Sequence, residues 1–174
     1  MITSSQMIEK EVIDNFLPAN EFNFIRETIA DVSFYWGFIP KSITGEKPQL
    51  VHLFCDSIRG FTSGQAQSIM APLVNKLQPS AVLKAKANLQ WQRDTIIEDP
   101  LHVDFTGVQA TTSILYMNTC NGYTHFEDGS KVHSVANRIV TFPTQTLHAG
   151  ANCTDDIARV VINFNYHKME GKDD

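Results

Sequence analysis

The chain has 174 residues, of which 43% are hydrophobic and 19% are charged, and its formal net charge is −5 at neutral pH. This length and composition predict a single soluble globular domain over residues 1–174, with a sizeable buried core. The acidic balance and the lack of a lysine or arginine cluster argue against a nucleic-acid partner, and the lack of a long apolar run argues against a membrane partner.

The N-terminal residues and the cysteines bear on the cellular compartment. Residues 1–16 carry charges that interrupt the apolar stretch of a secretory signal, namely Glu9, Lys10, Glu11 and Asp14. The three cysteines, Cys55, Cys120 and Cys153, are few and widely spaced, so they do not predict a disulfide framework. We therefore expect a cytoplasmic protein with free thiols.

Residues 1–80 predict a mixed helical support region. Apolar residues recur at helical spacing after Pro18, and a second amphipathic helix is predicted after Gly60, with Thr62 at the start of a capping box. Pro72 predicts a kink or a late start in that helix. Aromatic and β-branched residues predict strands at residues 32–38 and 50–55, with a loop at residues 40–48 between them.

Residues 81–167 predict a mostly β core. Residues 85–92 alternate between apolar and polar side chains, which is the period of a strand. Further strands are predicted at residues 102–105, 109–118, 123–126, 131–135, 138–142, 147–149 and 157–167. Many short strands separated by turn residues are typical of a sandwich or a jelly roll, here with flanking helices.

His102, Asp104 and His148 form a candidate metal site. Residues i and i+2 of a strand point to the same face, so His102 and Asp104 can present a nitrogen and an oxygen side by side. His148 would add a second imidazole from another strand. Two histidines and one carboxylate on one face of a metal are typical of non-haem Fe(II) oxygenases.

Arg159 and Tyr116 extend this site. Arg159 lies on the polar face of the last predicted strand, together with Asn163, and a buried guanidinium requires an anion. A dicarboxylic cosubstrate would satisfy that requirement through the two-pronged hydrogen bonding of arginine. A buried Tyr116 would likewise need a partner for its hydroxyl, which a bound carboxylate would supply.

The order and spacing of these segments resemble the 2-oxoglutarate/Fe(II)-dependent oxygenase superfamily, and within it the prolyl 4-hydroxylase-like branch. The resemblance lies in the segments LHVDF, ILYMN, NGYTHF, NRIVTF, TLHAG and ARVVINF, between residues 102 and 164. The short chain also resembles phage-encoded oxygenases. Where the family often has two glycines before its Thr-x-Phe, this sequence has Asn121 and Gly122.

The resemblance implies a double-stranded β-helix (jelly-roll) core and a role for each site residue. His102, Asp104 and His148 would bind Fe(II), and Arg159 and Tyr116 would bind the far carboxylate of 2-oxoglutarate, with Thr124 and Asn163 lining the cosubstrate pocket. The enzyme would be a dioxygenase that uses O2 to hydroxylate a C–H bond of a prolyl, peptidyl or small-molecule substrate and releases succinate and CO2. Ascorbate is a candidate reductant.

Several alternatives stay open at this point. Asn88, Gln90 and Gln92 either contact substrate or form a solvated strand face, and Glu98 and Asp99 are candidates for a loop over the site. His125, Glu127 and His133 form a rival metal set near a hairpin turn. A cupin-like metal-binding protein and a metal dioxygenase that does not use 2-oxoglutarate are the competing functions.

Overall fold

A computed structural model describes residues 8–40 and 48–169, which form eleven strands and two helices. The elements are β1 (Glu11–Ile13), α1 (Ala19–Ala30), β2 (Gly37–Ile39), β3 (Gln49–Asp56), β4 (Gly60–Phe61), α2 (Gly64–Leu77), β5 (Pro79–Trp91), β6 (Thr111–Tyr116), β7 (Tyr123–Phe126), β8 (Lys131–His133), β9 (Ile139–Pro143), β10 (His148–Ala151) and β11 (Ala158–Lys168). No helix in these ranges is long and apolar enough to cross a lipid bilayer.

The strands form two antiparallel sheets. The larger sheet has the order β1-β9-β6-β11-β5-β3-β2, with β4 paired to β3, and the smaller sheet has the order β10-β7-β8. β11 lies in the middle of the larger sheet, between β5 and β6. The two faces of β11 therefore look into two different layers of the molecule.

One face of the larger sheet packs against the helices. The apolar residues of α1 at helical spacing, Phe22, Ile25 and Ile29, are buried there together with Ile162 and Phe164 of β11. Burial of such side chains contributes roughly 1.5–3 kcal/mol each. The other face carries a second cluster, which contains Ile114, Tyr116, Phe126, Val132, Val140, Phe142 and Val161 from strands of both sheets. The predicted placement of Arg159 and Asn163 on one face of β11 is confirmed, since both line the cavity whereas Ile162 and Phe164 lie in the helix-covered cluster.

The start of α2 differs from the prediction. The helix begins at Gly64, and the hydroxyl of Ser63 accepts a hydrogen bond from the N–H of Ala66 at 3.0 Å, which is the capping role predicted for Thr62. The hydroxyl of Thr62 instead donates to the carbonyl of Leu53. The helix continues through Pro72 to Leu77, so the predicted late start is wrong.

Two predicted strands are wrong in part. The strand predicted at residues 32–38 is formed only from Gly37 onward, in β2, and residues 31–34 form a turn in which the carboxylate of Asp31 accepts hydrogen bonds from both the N–H and the hydroxyl of Ser33. In the segment 102–105 only His102 is paired, as an isolated bridge with His148. The predicted loop at residues 40–48 lies mostly outside the described residues.

Candidate active site

His102, Asp104 and His148 come together at the edge of the smaller sheet. The Nε2 atoms of His102 and His148 each lie 3.9 Å from Oδ1 of Asp104, and the candidate ligand atoms of the three residues all lie within 4.8 Å of one another. Two atoms bound to one ion at about 2.1 Å can be at most about 4.2 Å apart. One ion can therefore contact the carboxylate and either imidazole as they stand.

The backbone sets the tautomer of both imidazoles. Nδ1 of His148 lies 2.9 Å from the carbonyl oxygen of Thr146, and Nδ1 of His102 lies 3.2 Å from that of Pro100. Because a carbonyl oxygen only accepts, the neutral form of each ring carries its proton on Nδ1 and has the lone pair of Nε2 free for a metal. Burial lowers the pKa of His148, with Asp104 opposing that shift, so this imidazole is neutral at pH 7.

Asp104 is held by three side-chain donors on the larger sheet. Its Oδ2 accepts from Asn165 Nδ2 at 2.7 Å, Thr112 Oγ1 at 3.1 Å and Asn163 Nδ2 at 3.3 Å. Burial raises the pKa of this carboxyl, but the nearby His148 and the asparagine donors outweigh burial and leave the pKa below its usual value. Oδ1 is thereby left charged and directed at the two histidines.

A cavity of about 240 Å³ opens beside these three residues. Its walls come from β5 and β11 of the larger sheet, β7 and β10 of the smaller sheet, and the segment around His102. The lining residues within the described ranges are Ile39, Gln49, Lys84, Lys86, Asn88, Gln90, Asp99, His102, Val103, Asp104, Ile114, Thr124, His148, Gly150, Arg159, Val161 and Asn163.

Arg159 lies at one end of this cavity and is only 4% exposed. One Nη atom donates to the hydroxyl of Thr124 at 3.0 Å, whereas Nε has no hydrogen-bond partner. Across residues 8–40 and 48–169, no carboxylate forms an ion pair with this guanidinium. A buried cation that has an unused donor and lines a cavity is what a binding site for an anion requires.

No protein-family model matches the sequence, and no curated protein matches it either. Solved structures do match. An oxidoreductase of the 2OG-Fe(II) oxygenase family from Burkholderia pseudomallei has a TM-score of 0.66 at 10% identity, over 93% of this chain and 86% of its own. A prolyl-4-hydroxylase from Pseudomonas putida has a TM-score of 0.56 at 14% identity, over 91% of this chain and 92% of its own. A prolyl hydroxylase from Trichoplax adhaerens, in complex with a hypoxia inducible factor peptide fragment, has a TM-score of 0.60 at 13% identity, over 91% of this chain and 83% of its own.

The chain has the fold of the 2-oxoglutarate/Fe(II)-dependent oxygenases. The predicted jelly-roll core is confirmed, and prolyl hydroxylases are among the structures that share this fold. In this oxygenase fold the described residues fit an iron ion and an anion in kind. Two imidazoles and a carboxylate lie within 4.8 Å of one another, and Arg159 has an unused donor.

Two glycines make room for the side chain of Arg159. A Cβ atom on Gly122 would lie 2.6 Å from Cδ of Arg159, and one on Gly150 would lie 3.2 Å from its Nη1. Both distances are shorter than ordinary contacts, so the guanidinium reaches the end of the cavity because these positions lack side chains. Gly122 is the one glycine that this sequence keeps where the family often has two.

Tyr116 lies behind the cavity and not in its lining. Its hydroxyl is fully buried and is 2.8 Å from Oγ1 of Thr124 and 3.2 Å from the carbonyl of Val132. In this structure the hydroxyl of Tyr116 contacts Thr124, which does line the cavity. Asn163 also lines the cavity, but its amide nitrogen is directed at Asp104 and its buried Oδ1 has no partner.

The candidate substrate residues divide into two groups. Asn88 and Gln90 line the cavity from β5, where the backbone pairs Gln90 with Arg159 and Asn88 with Val161. Gln92 lies beyond the end of β5, and its side chain donates to the carbonyl of Thr154. Asp99 lines the cavity and accepts a hydrogen bond from Gln90 at 2.6 Å, while Glu98 bridges to Ala151.

The rival metal residues do not assemble. His125 lies 3.2 Å from the carbonyl of Asp99, and neither Glu127 nor His133 joins it in a ligand group within the described part of the chain. A different group does form there, from Cys120, Cys153 and Asp155. Burial and the neighbouring Cys120 raise the pKa of Cys153 to about 11, which disfavours the thiolate that binds metals.

Sequence reasoning missed Thr112, Asn165, Gly150, Lys84 and Lys86 as lining or supporting residues. A signal for Asn165 was present, because it shares the unusually polar face of β11 with Arg159 and Asn163. For Lys86, the alternation of residues 85–92 predicted only that it shares a face of the strand with Asn88 and Gln90, and Lys84 continues the same alternation. The alternation did not predict which parts of the protein this face contacts.

Proposed function

We propose that this protein is an Fe(II)- and 2-oxoglutarate-dependent dioxygenase that hydroxylates a C–H bond of its substrate. The observation that supports it most is the buried Arg159, which has an unused donor at one end of a cavity that also holds the three candidate metal ligands. A metal-binding protein of the cupin type has no need for a fixed cation beside its metal. The same holds for a metal dioxygenase that does not use 2-oxoglutarate.

His102, Asp104 and His148 would hold the iron. The backbone carbonyls behind the imidazoles keep each Nε2 unprotonated, and the donors from Thr112, Asn163 and Asn165 keep the carboxylate oriented. Three protein ligands leave positions open for the cosubstrate and O2. Bound iron, O2 and 2-oxoglutarate would supply the oxidising equivalents, with release of succinate and CO2 and with ascorbate as a reductant for the iron.

Arg159 and Thr124 would bind the far carboxylate of 2-oxoglutarate. Nε and Nη of Arg159 can donate to its two oxygens. Oγ1 of Thr124 accepts from Arg159, and the phenol of Tyr116 makes its shorter contact with the same oxygen. The hydroxyl proton of Thr124 is then available to the carboxylate. In this arrangement Tyr116 positions Thr124 rather than binding the cosubstrate itself.

The substrate is proposed as a prolyl, peptidyl or small-molecule compound, bound near Asn88 and Gln90. The peptide complex of the Trichoplax adhaerens prolyl hydroxylase supports a peptidyl substrate only by likeness of fold. Fold likeness does not select among the substrates that such enzymes accept. The side chains of the cavity are a better guide to the substrate.

Anaerobic titration with Fe(II) and 2-oxoglutarate tests the proposal. We expect a visible metal-to-ligand charge-transfer band and, on admission of air, slow formation of succinate without substrate. His148→Ala should abolish both, because it removes a buried ligand. His133→Ala should abolish neither, because His133 is exposed and lies outside the candidate ligand group. A wild-type protein with neither band nor succinate contradicts the proposed function.

A further inference from the structure

Two lysines form a second cationic end of the cavity. Lys84 and Lys86 are successive residues on the cavity face of β5, and both line the cavity. Within the described ranges, neither ammonium group forms a hydrogen bond or an ion pair. Both side chains are half-buried, so each charge loses part of its hydration without gaining a direct partner. Their place in the cavity wall makes them candidates for binding an anion.

The lysine end is separate from the Arg159 end. Lys86 pairs with Asn163 and Lys84 with Asn165 in the register of β5 and β11, whereas Arg159 pairs with Gln90. Four residues of strand separate Lys86 from Gln90, which is about 13 Å along the sheet. The guanidinium is turned further away, towards Thr124 and Gly150 of the smaller sheet. The candidate iron ligand Asp104 lies on the lysine side of the cavity, since it receives its donors from Asn163 and Asn165, which are opposite Lys86 and Lys84.

The carboxylates near the two lysines are engaged elsewhere. Asp56 of β3 lies opposite Lys84 in the sheet, but its Oδ1 accepts from the N–H groups of Ile58 and Arg59, and its Oδ2 lies 3.6 Å from Nε of Arg59. Asp104 is the carboxylate that interacts with Lys86, and it would be bound to the iron. Within the described ranges, neither lysine therefore has a carboxylate of its own.

From this arrangement we propose that the substrate is a small organic anion, and that Lys84 and Lys86 bind its anionic group while the C–H bond to be oxidised faces the iron ligands. This inference rests on the proposed function for the direction of binding. The anionic group is a carboxylate or a phosphate, both of which the ammonium of lysine recognises as a point charge. The unpartnered Oδ1 of Asn163, opposite Lys86, offers the same substrate a hydrogen-bond acceptor.

The binding of anions can be measured without knowing the substrate. Reductive methylation with 13C-formaldehyde labels the lysines of the whole chain, and Lys84→Met and Lys86→Met assign the two cavity signals. The protein is loaded with Zn(II) and saturating 2-oxoglutarate to fill the Arg159 end, and is then titrated separately with acetate, inorganic phosphate and acetamide. We expect saturable shifts of the Lys84 and Lys86 signals with one or both anions and none with acetamide. The exposed Lys76 of α2 should show only a weak, non-saturating response.

Two results separate this inference from the proposed function. If acetate and phosphate move the Lys84 and Lys86 signals no more than that of Lys76, the anion site does not exist, whatever the charge-transfer band shows. If the anions bind at the lysines but Fe(II) and 2-oxoglutarate give no band, the proposed function fails and the anion site stands. The relative affinity of acetate and phosphate identifies the source of the anionic group.

A turnover screen then tests the role of the site in substrate recognition. Free amino acids and other carboxylic acids are compared with their primary amides, and phosphate monoesters with their parent alcohols, as stimulants of succinate formation. We expect stimulation by an anion and not by its neutral counterpart. For that anion, Lys86→Met should raise KM by about tenfold or more, without weakening 2-oxoglutarate. Lys76→Met, which removes the same charge from the surface, should leave KM unchanged. Stimulation by a neutral amide equal to that of its acid would overturn the inference, as would a Lys86→Met effect confined to 2-oxoglutarate.

Discussion

Replacing Arg159 by methionine separates a cosubstrate-binding role from a structural one. Arg159 is 4% exposed, and among the described residues its guanidinium donates one hydrogen bond, to Thr124, while Nε has no partner. Losing that hydrogen bond costs about 1 kcal/mol of folding free energy. Removing a buried cation that has no ion-pair partner recovers at least as much, since such charges cost several kcal/mol to desolvate. Methionine is apolar and flexible enough to fill the space, so the free protein should be as stable as wild type or more stable.

The affinity for 2-oxoglutarate should change in the opposite direction. Two charge-assisted hydrogen bonds to a carboxylate would be lost, and even one and a half kcal/mol for each gives about 3 kcal/mol, or roughly 150-fold weaker binding. The assay combines urea unfolding of the metal-free protein with anaerobic titration of the charge-transfer band. Arg138→Met is the matched control, because Arg138 pairs with Asp14 at the surface and should not affect 2-oxoglutarate. A variant at Arg159 that unfolds easily yet binds 2-oxoglutarate normally would refute the reasoning.

Three further predictions concern other parts of the structure. Gly150→Ala places a methyl group 3.2 Å from Nη1 of Arg159. It should weaken the binding of 2-oxoglutarate by about tenfold and leave the affinity for Fe(II) unchanged in the same titrations. An equal loss of both affinities would contradict the argument that the methyl group crowds Arg159. Burial lowers the pKa of His148 below the usual histidine value of about 6.5. An NMR titration of the His148 ring in the metal-free protein should therefore have its midpoint at a more acidic pH than that value, and a midpoint above it would contradict the argument from burial. Asn137 has a φ of 63°, and its side chain accepts from the N–H of Leu17 and donates to its carbonyl at 2.9 and 2.8 Å. Asn137→Ala leaves the N–H and the carbonyl of Leu17 unpaired and should lower the free energy of unfolding in urea by about 2–4 kcal/mol. Asn137→Asp keeps the acceptor, so its stability should lie between those of wild type and Asn137→Ala. An unchanged midpoint in Asn137→Ala would mean that water replaces the side chain.

Strand alternation predicted a large part of the site. Residues at i and i+2 share a face in any extended segment, so the opposite faces of β6 and β11 could be assigned before the structure was known. The same rule grouped Arg159 with Asn163 and separated both from the apolar residues of the helix-covered face. It also brought His102 beside Asp104, although the segment that carries them is not a ladder strand. For that pair the short chain separation mattered more than the secondary structure.

Local chemistry also explains where the sequence interpretation was wrong. The aromatic residues 34–36 have strong strand propensity, yet β2 begins only at Gly37, after a turn in which the Asp31 side chain accepts hydrogen bonds from Ser33. Likewise Ser63 caps α2 because the hydroxyl of Thr62 is engaged by the carbonyl of Leu53 on β3. In both cases the local structure depends on which hydrogen-bond partner a polar side chain takes, and secondary-structure propensity does not predict that partner.

The sequence by itself determined the candidate iron ligands and the cation that would face 2-oxoglutarate. The short separation of His102 and Asp104 and the period of two that puts Arg159 on the polar face of its strand are both properties of the chain itself. Only the tertiary structure decided what surrounds them. It placed Tyr116 behind Thr124, supported Asp104 with Asn165 and Thr112, and set Lys84 and Lys86 at the far end of the cavity. Those relations depend on which strands are neighbours and on the register between them, and residues distant along the chain carry no local signal of either.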